Sequence, residues 1–211
     1  MNYYNINGMF KNTPLTQWNI DLPALTDGTA MFHECTSLES FSGSLNNLEK
    51  GGGYFIEDYY YPDAGMFYST KITTWNIPLP KLKDATGMFK GSNLHTFNVS
   101  ELPSLTDGRY MFSDTDFTEL PSINMPNLEI AEGMFQNCLK LSPIFVANLY
   151  PATKCAGMFS FNPIACVKND SYIFSDYITP DVLREMDGYY TQFINFSDTD
   201  FLPPESIRMF A

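Results

Sequence analysis

The chain has 211 residues, of which 44% are hydrophobic and 16% aromatic, and its net charge at pH 7 is −12. This length and apolar content suffice for a single soluble domain with an extended core. The 12 basic residues are scattered, whereas phosphate recognition requires clustered Lys and Arg, so the composition argues against nucleic acid and anionic membrane partners. No apolar run approaches the roughly 18 residues that a membrane-spanning helix needs, so we expect no membrane insertion.

The dipeptide Met-Phe recurs along the chain. Its methionines are Met9, Met31, Met66, Met88, Met111, Met134, Met158 and Met209. Successive offsets are 22, 35, 22, 23, 23, 24 and 51 residues. A unit of this length cannot bury its own apolar face, so the period predicts a solenoid whose units stack along one axis. We expect the Met and Phe side chains to form a buried column.

A Leu-x-x-Leu segment with a following Asp precedes several of these dipeptides, as in residues 22–28, 79–85 and 102–108. We expect this return segment to form 3₁₀ or one-to-two-turn helical structure. Asp27, Asp84 and Asp107 are predicted to cap the first free N–H groups of those turns.

A second pattern, Leu-x-x-Φ-x-Φ with Φ apolar, follows the dipeptide at residues 15–20, 72–77, 94–99 and 141–146. Polar and apolar residues alternate in the first three, which is typical of a strand with one buried face. The spacing predicts strands near 17–20, 74–77, 96–99 and 143–146 in one parallel sheet.

The 35-residue offset contains a weaker copy of the repeat. Residues 45–55 fit the pattern with Tyr54-Phe55 in place of Met-Phe, and Phe67 follows twelve residues after Phe55. Either a shortened unit or an inserted loop lies there.

Two segments keep further positions of the repeat. Phe32-His-Glu-Cys-Thr-Ser-Leu-Glu-Ser-Phe41 and Phe135-Gln-Asn-Cys-Leu-Lys-Leu141 resemble the Phe-x-x-Cys-x-x-Leu-x-x-Ile core of BspA-like leucine-rich repeats, and Met-Phe is similar to the repeats of bacterial surface lipoproteins. The resemblance implies an α/β solenoid with short parallel strands on one face and 3₁₀ or short helical returns on the other. Only two units keep the Cys, and Phe117 replaces the leading Leu of its unit.

Residues 1–160 are therefore predicted to form a solenoid of about seven units. Residues 161–211 lose the period but keep a helix-like segment at 179–188 and an echo of residues 111–117 near 195–201. Terminal units of solenoids are atypical because they shield the last layer. We interpret residues 161–211 as a degenerate repeat and C-terminal cap of the same domain.

Residues with catalytic or metal-binding chemistry form no recognisable motif. Cys35 and Cys138 occupy one column several layers apart, outside disulfide reach, and are expected to be free buried thiols. A bridge between Cys155 and Cys166 is left open. The chain has no Cys-x-x-Cys, and its two histidines form no ligand pair, so we expect neither an enzyme nor a cofactor or metal site.

Two surfaces are candidates for binding. Outward strand positions form one row of Gln17, Ser40, Thr74 and Thr96 and a second of Asn19, Ser42, Asn76 and Asn98. Such a polar face suits contact with a protein or a glycan, although its Asn side chains would also be explained if they only bonded to each other along the stack. The consecutive Tyr59, Tyr60 and Tyr61 cannot all face inward and are the other candidate.

The function expected from these features is non-catalytic recognition or adhesion, with a protein or surface glycan as partner. The alternative is a structural component of a phage virion or fibre, assembled through the solenoid surface or its ends. Residues 1–10 show no signal peptide. A fragment of an exported protein would lie at the bacterial cell surface, whereas a protein not exported by that route would fit a virion.

Overall fold

The computed structural model describes residues 8–56, 59–141 and 156–158, with side chains for residues 8–53, 63–141 and 156–158. Three sequence predictions lie outside these ranges: the strand near 143–146, the pairing of Cys155 with Cys166, and the cap at 161–211.

The regular elements are few and short. They are β1 (Gln17–Trp18), β2 (Ser40–Phe41), β3 (Tyr54–Ile56), β4 (Tyr59–Tyr61), a 3₁₀ helix (Pro62–Ala64), β5 (Thr74–Trp75) and β6 (Thr96–Phe97). The β1–β2 and β5–β6 pairs are parallel, and β3–β4 is an antiparallel hairpin. The parallel pairs join segments one repeat apart.

The strands form separate two-stranded sheets, so the expectation of one parallel sheet is wrong. Glu39 N–H donates to Thr16 C=O between β1 and β2, and His95 N–H donates to Thr73 C=O between β5 and β6, at 2.9 and 3.0 Å. The equivalent bond from Thr73 to Glu39, between β2 and β5, is not among the hydrogen bonds of the described residues. The missing bond divides the sheet at this step.

Other backbone ladders cross that break. Parallel bridges connect Asp27 to Lys50, Lys50 to Asp84, Asp84 to Asp107 and Asp107 to Ile130. In addition, the N–H of each Met-Phe phenylalanine donates to the methionine C=O one unit later, at 2.8 to 3.0 Å. These bonds run from Phe10, Phe32, Phe67, Phe89, Phe112 and Phe135 to Met31, Met66, Met88, Met111, Met134 and Met158. Successive units are thus hydrogen-bonded along the described chain.

The phenylalanine rings of the dipeptides stack on one another in the core. Neighbouring rings in the series Phe10, Phe32, Phe67, Phe89, Phe112 and Phe135 have centroids 5.4 to 6.0 Å apart and planes inclined by 5 to 20°. The methionines from Met31 to Met158 are also buried, and leucines from the return segments complete the core. The predicted buried column of Met and Phe side chains is confirmed in the units from Met31-Phe32 to Met134-Phe135, whereas Phe10 is half-buried and Met9 is exposed.

The long offset contains an inserted hairpin. Met31 N–H donates to Gly28 C=O three residues earlier, at 2.9 Å, whereas Met66 N–H donates to Gly51 C=O fifteen residues earlier, at 2.7 Å. Twelve extra residues therefore leave and rejoin the stack in this unit. Because Tyr54 and Phe55 belong to β3 of the hairpin, they do not occupy a Met-Phe position, and the inserted loop is the alternative that the structure adopts.

The turns around Met-Phe are not helices, contrary to expectation, since the described residues contain one 3₁₀ helix and no α-helix. His33 N–H donates to Ala30 C=O and Cys35 N–H to Phe32 C=O, both at 3.1 Å, as in successive tight turns. Ala30 and Glu34 have φ values of 55° and 56°. A residue with positive φ cannot continue a right-handed helix. Each turn therefore ends after one hydrogen bond.

The predicted Asp caps are confirmed. The Oδ1 atoms of Asp27, Asp84 and Asp107 accept hydrogen bonds from the backbone N–H two residues later, at 2.9, 2.9 and 3.1 Å. Each cap satisfies a backbone N–H at the start of a Met-Phe turn.

Candidate binding surface on the strands

Side chains alternate between core and surface along each parallel strand. Apolar side chains pack on the phenylalanine column, as Trp75 does on Phe89 (centroids 4.8 Å apart) and Phe97 on Phe112 (5.2 Å apart). The predicted outward positions are exposed except for Thr96, which is half-buried. The exposed ones are Gln17, Asn19, Ser40, Ser42, Thr74, Asn76 and Asn98. We call these eight residues the strand face.

The asparagines of the strand face bond to each other at one step. Asn98 Nδ2 donates to Asn76 Oδ1 at 2.7 Å. This is the bond expected if the asparagines only bond to each other along the stack. No side-chain hydrogen bond joins Asn19 to Ser42 in the first sheet. Since an amide has two donor hydrogens and an acceptor oxygen, the single Asn98–Asn76 bond leaves both side chains with capacity for a ligand.

The strand face is interrupted after β6. Ser42 N–H donates to Trp18 C=O and Asn98 N–H donates to Trp75 C=O, each at 2.9 Å. One repeat after Asn98 the chain has Pro121, which has no N–H to donate. No backbone hydrogen bond of the described chain joins residues 117–121 to β6. The far edge of β6 is therefore unpaired.

A groove of about 500 Å³ lies at this edge. Its walls come from β6 with its flanking residues and from the diverging segment of the next unit, and they include His95, Asn98, Glu119, Leu120 and Pro121. A second cavity of about 240 Å³ adjoins it and shares Asn98 and Ser100. Asn76 and Glu101 line the second cavity.

Sequence reasoning found Thr96, Asn76 and Asn98 but missed Glu101, Glu119 and the groove itself. The available signals were the replacement of the leading Leu by Phe117 and the proline at a position that donates a hydrogen bond in other units. Both mark the unit in which the strand is lost.

The predicted tyrosine cluster lies elsewhere. Tyr59, Tyr60 and Tyr61 form β4, where they pair with Ile56, Phe55 and Tyr54 respectively. Their side chains lie outside the described atoms. The structure therefore places this cluster on the inserted hairpin, apart in sequence from the strand face.

The two histidines occupy different environments. His33 is buried, stacks on Tyr68 with centroids 4.6 Å apart, and has its Nε2 atom 3.7 Å from Glu34 Oε2. Burial lowers the pKa of His33 to about 4, despite the opposing charge of Glu34. His95 is exposed on the groove, with Nδ1 2.9 Å from Thr96 Oγ1. His33 is therefore neutral at pH 7 and too buried to contact a ligand, whereas His95 is accessible from the groove.

The described cysteines are free and buried, as predicted for Cys35 and Cys138. Their thiols donate to Phe10 C=O and Phe112 C=O at 3.0 and 3.1 Å. Burial raises the pKa of Cys138 to about 11, so this thiol is a poor nucleophile at neutral pH.

In the described ranges, no group of three or more His, Cys, Asp and Glu side chains is arranged to hold a metal ion. Among the described segments, none is a helix with the length and apolar character that crossing a bilayer requires. The chain matches no known protein family, no curated protein and no solved structure.

Proposed function

We propose that the chain is a leucine-rich-repeat-like solenoid, related to the BspA-like repeats, that acts as a non-catalytic recognition or adhesion module for a protein or glycan. The observation that carries the proposal is the strand face: seven of its eight predicted polar positions are exposed. The intervening Phe41, Trp75 and Phe97 are buried. A row of small polar groups on a stacked scaffold offers hydrogen bonds to a ligand without a change in the core.

Charge and chemistry support the same proposal. The net charge of −12 disfavours phosphate-rich partners and leaves neutral glycans and proteins with basic segments as the better matches. The resemblance to repeats of bacterial surface proteins favours a role at a cell surface.

The test replaces two strand-face residues with charged ones. Asn76→Lys with Asn98→Lys should abolish binding of fluorescently labelled protein to a glycan array and to intact bacterial cells. The matched control is Asn47→Lys with Asn127→Lys, since both residues also bond one unit away, to Pro23 C=O and Pro103 C=O, but lie in the return segments. Equal loss of binding in both double variants, or in neither, would contradict a role for the strand face.

A second candidate function is assembly into a virion or fibre, and the first described unit favours it. Met9 is 78% exposed and Ile20 is 58% exposed. In the same unit Leu22 and Leu25 are half-buried, whereas their equivalents Leu45 and Leu48 are fully buried. Exposed apolar side chains in one layer of the stack are suited to docking on another subunit.

Sedimentation velocity over a range of concentrations distinguishes this role. Concentration-dependent assembly that Met9→Ser with Ile20→Ser abolishes would support a structural component. A monomer at every concentration, with binding lost in the strand-face variant, would support recognition.

A further inference from the structure

The far edge of β6, like that of β2, has a backbone carbonyl that accepts no backbone hydrogen bond within the described residues, and the edge of β6 lies beside a groove. In the first and last sheets the carbonyls of Trp18 and Trp75 accept hydrogen bonds from the unit that follows. Phe97 occupies the equivalent position in β6, and its C=O receives no backbone hydrogen bond from the described residues. Pairing resumes only at Ser100, whose C=O accepts from Asn124 N–H at 2.8 Å.

The groove between these points has a wall on either side. Leu120 is half-buried there, although Phe97 one repeat earlier is 7% exposed. The segment that should have paired with β6 therefore stands away from it and forms the opposite wall. A volume of about 500 Å³ lies within the range of roughly 300 to 1,000 Å³ typical of ligand sites.

Glutamates are the acidic side chains at this site, and no lysine or arginine lines it. Glu119 lines the groove and Glu101 lines the adjoining cavity, while neither lining includes Lys or Arg. Two carboxylates on a protein of net charge −12 complement a cationic ligand and oppose an anionic one.

We propose that the free edge of β6 binds an extended segment of a protein partner that carries Lys or Arg, inserted between β6 and residues 117–121. This inference rests on the proposed recognition function and names its partner class. The peptide backbone supplies the N–H that Pro121 lacks and accepts from the edge of β6, as in strand addition. Its basic side chains reach Glu119 and Glu101. A glycan satisfies the polar side chains but has no regular series of amide groups to match the strand edge.

The probe is an octapeptide of alternating Lys and Val, acetylated at its N-terminus and amidated at its C-terminus. Titration calorimetry should detect its binding to the full chain, and two-dimensional NMR should place the largest amide shifts at Phe97, Asn98 and Val99. The same peptide with alternate backbone nitrogens methylated should bind at least about tenfold more weakly, because strand hydrogen bonds are lost. A Glu-Val octapeptide should not bind.

Two variants of the protein locate the site. Pro121→Asn introduces the residue found at equivalent position 98 and restores an N–H donor for Phe97 C=O, so it should close the edge and weaken peptide binding by about tenfold or more. Glu119→Gln should weaken binding and reduce its salt dependence. Pro126→Asn is the control, since Pro126 is exposed and outside the groove. Urea unfolding of each variant verifies that the fold is retained.

The outcomes separate this inference from the proposed function. Unchanged affinity in Pro121→Asn, or equal affinity for the methylated peptide, would overturn the edge site. Binding of neutral oligosaccharides that is lost in the strand-face variant, without peptide binding, would overturn the inference but retain recognition. Absence of binding to the peptide, to glycans and to intact bacterial cells would overturn both.

Discussion

The rings of Phe32 and Phe67 stack with centroids 5.6 Å apart and planes inclined by 5°, although 35 residues separate them in sequence. Phe67 and Phe89, which are 22 residues apart, stack at 5.5 Å and 9°. The stacking geometry is thus independent of the inserted hairpin. The insertion leaves the stack and returns to it without a change in the spacing of the layers.

Removal of the hairpin should therefore preserve the fold. Deletion of residues 52–63 joins Gly51 to Ala64 and places Met66 three residues after Gly51, the same offset as from Gly28 to Met31. The shortened chain should unfold in a single urea transition with a midpoint close to that of the full chain. Loss of cooperative unfolding would show that the hairpin is needed to hold this layer.

Truncation of a phenylalanine in the middle of the stacked column should strongly destabilise the protein. Phe112 is fully buried between Phe89 and Phe135, so Phe112→Ala should lower the free energy of unfolding by about 3 to 5 kcal/mol. Phe10→Ala is the comparison, since Phe10 is half-buried in the first described unit and should cost less. Unfolding unchanged by Phe112→Ala would contradict a stacked column.

Two equivalent turn residues with positive φ should respond oppositely to substitution: adding a Cβ should lower the stability of the protein, and removing one should not. Ser69 and Gly91 occupy equivalent positions, two residues after the Phe, with φ values of 54° and 68°. Gly91→Ala should destabilise the protein by roughly 1 to 2 kcal/mol, because a Cβ is disfavoured in this conformation. Ser69→Gly should be neutral or stabilising. The reverse order of urea midpoints would refute the turn conformation.

The sequence period and residue types predicted the stacked core, the Asp caps and the outward polar rows, because burial and side-chain chemistry recur at fixed spacing. The turn conformation was not predictable in the same way. Glu34 and Ser69 adopt positive φ, yet neither residue type signals it, and the surrounding inter-unit hydrogen bonds impose it. The division of the sheet likewise depends on the relative placement of Glu39 and Thr73, which no spacing reveals.

The pH dependence of stability should contain a contribution from His33. Burial holds its pKa at about 4, below its ordinary value of 6.5, so the unfolded chain binds a proton that the folded chain does not. Stability should therefore fall as the pH drops from about 6.5 towards 4, by roughly 2 to 3 kcal/mol. The neighbouring charged or titratable groups are Glu34, Lys11, Asp63 and Tyr68.

The contribution of His33 is the difference in pH dependence of stability between the wild type and a variant that lacks the imidazole. His33→Phe retains an aromatic ring against Tyr68 and should remove this part of the slope in urea unfolding between pH 7 and 4. Tyr68→Phe is the control, since it keeps the stack and the imidazole, and it should unfold with the wild-type slope. Identical pH profiles for the wild type and His33→Phe would contradict the buried neutral histidine.

Scalar couplings across hydrogen bonds, measured by NMR, test the proposed solenoid most directly. Phe67, Phe89 and Phe112 N–H groups lie 2.8, 3.0 and 2.9 Å from the carbonyl oxygens of Met88, Met111 and Met134. Stacked units predict a resolved coupling from each phenylalanine amide nitrogen to the carbonyl carbon of the methionine one unit later, together with slow exchange of the three amide protons. Absence of these couplings with rapid exchange at all three amides would contradict the stacked repeat.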